Sequence, residues 1–156
     1  MSTEITGKVR EMMVNAKKEI SKEKIEEWVK EIAESSSELP HYLENKTFNS
    51  IAKENEKILK ENNIPLKPTM EKLDGYRLVD EIHELFRGKY IRWIRKKNKI
   101  LTNGAMVMDI KFLEEGIHIL CRNGANRFIQ IKFDDCIFFQ KLTDEEWMLL
   151  SVKSQI

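Results

Sequence analysis

Residues 105–141 read AMVMDIKFLEEGIHILCRNGANRFIQIKFDDCIFFQK, and the way this stretch divides decides the fold. β-Branched and aromatic residues come in short runs, each closed by a turn signal: Glu114-Glu115-Gly116, Asn123-Gly124 and Asp134-Asp135. The runs predict strands over Ala105–Leu113, Ile117–Arg122, Arg127–Phe133 and Cys136–Lys141. In the first of them Met106, Met108, Ile110 and Phe112 alternate with Val107, Asp109, Lys111 and Leu113, so one face is expected to be buried. Ile129, Ile131 and Phe133 repeat the alternation two strands later.

On the N-terminal side, Asn103-Gly104 marks another turn, and Lys89–Arg95 is expected to form a further strand. On the C-terminal side, Thr143-x-x-Glu146 is a capping box that opens a helix carrying Trp147, Met148, Leu150 and Val152. Five short strands joined by tight turns favour a small closed barrel over an open sheet, whose edges would invite association. Upstream, Leu78, Val79, Ile82, Leu85 and Phe86 suit a short helix with Gly88 as its C-cap. Asp74-Gly75 reads as a turn, and Pro65 with Pro68 as a linker.

Residues 1–64 carry helical periodicity. Ile5, Val9, Met12, Ala16 and Ile20 share one face, and Ile25, Trp28, Val29, Ile32 and Ala33 another, with Ser21 as N-cap. That second pattern stops at Ser35-Ser36-Ser37 and Pro40, and a third follows over Phe48, Ile51, Ala52, Ile58 and Leu59. Helices this short are marginal alone, so their stripes need burial within the chain, against a protein partner or in a homo-oligomer. The expected organisation is α+β: a helical region at 1–64, a linker and short helix at 65–87, and a five-stranded antiparallel β-barrel with a closing helix at 88–156.

A resemblance supports this layout. The succession KYIRWIR, a turn at TNG, the hairpin MVMDIKFLEEGIHILC, then RFIQIKF and CIFFQKL resembles a Tudor-like, or Src-homology-3-like, barrel over residues 88–142. Small barrels of this layout attached to helices also resemble proteins coded by large DNA viruses. The resemblance implies a binding module and carries over no catalytic residue, because the fold class has no fixed chemistry. It also implies a lower-ranked candidate, an aromatic cage for methylated lysine built from Tyr90 and phenylalanines on the strands.

Composition bounds the function. The chain has 156 residues, 41% of them hydrophobic and 34% charged, and 27 basic against 26 acidic side chains leave a net charge of +1. This excludes a histone-like polycation and an acidic disordered tail. No apolar run reaches the ~20 residues that span a bilayer, and MSTEITGKVR lacks a signal-peptide pattern. Two cysteines, Cys121 and Cys136, are no disulfide framework, so an intracellular protein, cytoplasmic or nuclear and not secreted, is expected.

The charge is nevertheless localised. From Arg87 to Lys99 the chain reads RGKYIRWIRKKNK, and no acid occurs between Glu84 and Asp109. Cations that neutralise phosphates, interleaved with aromatic rings that can stack on bases, suit DNA or RNA. On an extended strand Ile91 and Trp93 share the expected core side, which leaves Tyr90 and Arg92 as ligand candidates, followed by Arg95, Lys96, Lys97 and Lys99 in the next loop. Three other readings stay open: a solvated hairpin whose lysines deter edge pairing, an anionic membrane surface, and an adaptor that docks through residues 1–64.

No catalytic constellation accompanies these residues, and neither enzyme activity nor a cofactor or metal is expected. His118 and Cys121 project to opposite faces of one strand and cannot share a zinc with Cys136. Cys121 follows the parity of Ile117 and Ile119 and reads as core, whereas Cys136 opens a strand and is expected to be partly exposed. His41 and His83 have no catalytic partner in view. Gly88-Lys89-Tyr90 lacks the upstream glycine and following hydroxyl of a P-loop, and Asp109 is expected in a salt bridge to Lys111 or to the basic stretch.

Overall fold

The computed structural model describes residues 40–153, together with Glu27, which is helical. Apart from Glu27, the first two expected helices and the serine break after them lie outside the described residues. The described chain is α+β, with helices α1 (Phe48–Glu61), α2 (Leu66–Lys72) and α3 (Asp144–Lys153) and six antiparallel strands. The strands are β1 (Tyr76–Val79), β2 (Tyr90–Arg95), β3 (Ala105–Leu113), β4 (Gly116–Arg122), β5 (Phe128–Lys132) and β6 (Cys136–Lys141). They belong to a compact unit spanning Ile51–Lys141, and the flanking segments on either side of it form a second unit.

The sheet runs in the order β1-β6-β2-β3-β4-β5 and is open, which corrects the expectation of a closed five-stranded barrel. The extra strand is β1, where a helix over Leu78–Phe86 was expected. Tyr76–Val79 instead pairs along β6, from Tyr76 opposite Lys141 to Val79 opposite Phe138. A single 3₁₀ turn at Ile82–Glu84 follows it. Gly88 caps no helix; with φ 80° it turns the chain into β2 while its N–H donates to the Val107 carbonyl at 2.8 Å. The proline linker is likewise a helix. Pro65 stands at the N-cap of α2 and Pro68 falls in its first turn, where a missing N–H costs nothing.

Side chains from one face of all six strands contribute to a common core. Val79 of β1, Ile91 and Trp93 of β2, Val107 of β3, Ile119 and Cys121 of β4, Ile131 of β5 and Phe138 of β6 all belong to it. The opposite face of β1, β6 and β2 is covered by helix. Leu59 of α1 and Leu73 at the end of α2 join Ile94, Ile137 and Phe139 in a second cluster, with Met70 and Leu78 against it. Strands β2 and β6 are therefore buried on both sides, and the consecutive Trp93 and Ile94 are both core. Asn55 ties α1 to the sheet by donating from Nδ2 to the Tyr76 carbonyl at 3.0 Å.

Three local features fix the geometry. Met108 is an extra residue between the paired Val107 and Asp109, a bulge that inverts the parity of β3. Val107 and Ile110 consequently face the same core, and the strict alternation expected from Met106 to Phe112 does not persist. Gly104, at φ 97°, lies so close to β2 that a Cβ there would stand 2.5 Å from the Ile91 carbonyl oxygen. At one end of the core the buried Arg77 and Gln140 hold the loop after β1: Arg77 donates to the Glu84 carbonyl at 2.6 Å, and Gln140 accepts from the Phe86 N–H at 3.0 Å.

In the second unit the expected capping box forms. The Thr143 hydroxyl accepts from the Glu146 N–H at 3.1 Å, and the Glu146 carboxylate accepts from the Thr143 N–H at 2.9 Å. The same buried carboxylate accepts a hydrogen bond from the Tyr42 hydroxyl. Phe48 meets Trp147 with ring centroids 5.0 Å apart.

Candidate nucleic-acid interface

The site is built where β2 runs out. Arg95, its last residue, pairs with Cys136, the first residue of β6. This register brings the loop after β2 against the 3₁₀ turn Phe133–Asp135 that links β5 to β6. The Lys96 backbone N–H donates to the Asp135 carbonyl at 3.1 Å, and its Nζ donates to the Asp134 carbonyl at 3.0 Å. A cavity of about 510 Å³ opens there, lined by Arg95, Lys96, Lys97, Lys132, Asp134, Asp135, Cys136, Gln130 and Ile131. Its four cations outnumber its two carboxylates, and the lysines are exposed or half-buried, so an anion entering it meets a net positive wall.

The expected site residues are thus divided between two places. Arg95, Lys96 and Lys97 share the cavity, whereas Lys99 is exposed and lies outside its lining. Tyr90 begins β2, five residues before Arg95, which on an extended strand is about 17 Å away. Arg92 is occupied in holding the fold: Nε donates to the Thr102 carbonyl at 2.9 Å and one terminal nitrogen to the Lys72 carbonyl at 3.0 Å. That clasp ties β2 to the loop ahead of β3 and to the end of α2, so Arg92 is a structural cation.

Lys132, Asp134 and Asp135 were missed as members of the site. Their signal was present, since the Asp134-Asp135 turn had to return the chain to some neighbour. Which neighbour it met depended on β6 pairing with β2, a contact between residues about forty positions apart that no local pattern encodes.

The remaining candidates have ordinary roles. Cys136 is buried where partial exposure was expected, and burial pushes its thiol up, with the adjacent Arg95 guanidinium pulling the other way. Cys121 is buried as expected, and burial alone pushes it up to about 12. Both thiols stay protonated near neutral pH and are poor nucleophiles. Asp109 pairs at 2.6 Å with Arg87, the first residue of the basic stretch. His118 Nδ1 lies 3.0 Å from the Gln130 side-chain nitrogen, His83 faces Glu81 at 3.2 Å and His41 faces Glu44 at 3.4 Å. Among the described residues no group of three His, Cys, Asp or Glu side chains is placed to hold a metal ion, and no helix is long and apolar enough to cross a membrane.

No family model, curated protein or solved structure matches the chain at a significant level.

Proposed function

We propose that the protein is a non-catalytic binding module for nucleic acid, in which Arg95, Lys96, Lys97 and Lys132 neutralise backbone phosphates. The observation that carries this reading is the cavity at the end of β2, where cations from two segments distant in sequence converge. Two of its walls are fixed by backbone pairing, so the segments that carry the charges are held together without a ligand to organise them. The carboxylates of Asp134 and Asp135 limit the net charge and favour a modest, salt-sensitive affinity over tight binding. A likeness to Src-homology-3-like layouts remains part of the proposal, supported by the run β6-β2-β3-β4-β5 and the 3₁₀ turn before its last strand.

Fluorescence anisotropy of labelled single- and double-stranded DNA and RNA, titrated at several salt concentrations, tests this. Three or four phosphate contacts predict a log–log salt slope of about −3 to −4 on duplex DNA and about −2 to −3 on single strands. Absence of binding at ~50 mM salt, where charges are least screened, would overturn the reading.

A further inference from the structure

The outer face of the sheet carries a second arrangement away from the cavity. Register places Tyr90 opposite Met106, Met106 opposite Arg122 and Arg122 opposite Phe128, one residue from each of β2, β3, β4 and β5. Their neighbours in sequence, Ile91, Val107, Cys121 and Ile129, all turn to the common core, so the row itself faces outward. Its end rings are unusually open, Tyr90 at 50% and Phe128 at 63% exposure, and Arg122 between them is also exposed. The helices that cover this face over Ile94 and Phe139 leave the Tyr90 end bare.

Charge distinguishes the row from an ordinary apolar patch. Asp109 is the sole acidic side chain on β2, β3, β4 and β5, and Arg87 neutralises it at 2.6 Å. Arg127 is exposed beside Phe128, and the exposed Lys141 follows Gln140, the partner of Ile91. The row thus runs ring, methionine, arginine, ring, with its end rings about 14 Å apart, three strand spacings, on strands that carry no unpaired acid. A protein partner would favour a continuous apolar patch. Isolated rings set among arginines suit unpaired bases, which can lie on a ring while the phosphates meet the cations. A duplex keeps its base faces stacked and cannot use them.

We propose that the Tyr90–Met106–Arg122–Phe128 row is a stacking platform for single-stranded nucleic acid. The inference rests on the nucleic-acid reading above and narrows its ligand to the single-stranded form. Its test uses the full chain and a labelled oligothymidylate beside a labelled duplex, with Tyr90→Ala, Phe128→Ala and the ring-preserving Phe128→Tyr. Thermal unfolding confirms that each variant is folded, as the exposure of both rings leads one to expect. Each alanine variant should weaken oligothymidylate binding about tenfold, leave duplex binding within twofold, and Phe128→Tyr should restore the single-strand affinity.

Equal binding of both ligands, unaffected by loss of either ring, would overturn the platform while leaving the phosphate cavity standing. No binding of either ligand at low salt would overturn both. A concentration-dependent dimer in sedimentation that Phe128→Ala dissolves, with oligothymidylate affinity unchanged, would assign the row to a second copy of the chain and overturn the platform.

Discussion

Replacing Lys96, Lys97 and Lys132 together by glutamate should lower nucleic-acid affinity by at least a hundredfold and flatten its salt dependence. The three lysines line one cavity, and each phosphate contact contributes close to one unit of log–log salt slope. Reversal adds repulsion to the lost attraction, so the decline should exceed that of the corresponding alanine variant. Lys99→Glu is the internal control. It lies in the same basic stretch but outside the cavity, and should change affinity only a few fold. If Lys99→Glu weakens binding as much as the triple variant, overall charge governs binding and the cavity has no special role. Circular dichroism and unfolding of the triple variant should stay near those of the parent, because the three side chains are exposed or half-buried.

The largest effect on stability is expected from Trp93→Ala, about 3–5 kcal/mol. Trp93 is 2% exposed in the common core, and its ring lies 6.4 Å from that of Phe138 on the paired strand. With β2 buried on both faces, neighbouring side chains have little freedom to collapse into the space a tryptophan would leave. A domain of ordinary stability has about 5–15 kcal/mol in all, so the variant should unfold at much lower urea or heat. Tyr90→Ala, three residues earlier on the same strand but half-exposed, should cost far less. Equal losses from the two would mean that the packing of β2 differs from the one described.

These two residues also show what could be read from sequence. Strand parity separated Trp93 from Tyr90 because every second residue of an extended chain faces the same way. The strands from β2 to β6 were legible for a related reason: each is a β-rich run ended by residues that favour turns. The capping box ahead of α3 was legible because its two hydrogen bonds join residues three apart.

Where partners lie far apart in sequence, local pattern misled. Leu78, Val79, Ile82 and Leu85 have helical spacing, yet β1 forms because β6 offers it an unpaired edge. Pro65 and Pro68 suggested a linker because proline is costly inside a helix, but both stand where α2 begins. Closure of the barrel was inferred from the cost of open edges. The chain meets that cost otherwise, with edge strands of only four and five residues. Arg92 looked like a ligand residue because its charge was visible and its two carbonyl acceptors, from distant segments, were not.

The bulge at Met108 bears on how the gene can vary. The residue has no partner across the ladder, so loss of its codon removes the bulge and keeps the pairing: Val107 and Ile110 would still face the core, with Asp109 between them pointing outward. A residue added to β4 between Ile119 and Leu120 is another matter. Paired throughout, the two strands would alternate strictly, offering Asp109 to the interior and turning Ile110 and Ile119 outward. The hairpin should therefore accept deletion of residue 108 far better than an insertion after Ile119, a difference that a library of in-frame deletions and insertions, scored for soluble expression, would reveal.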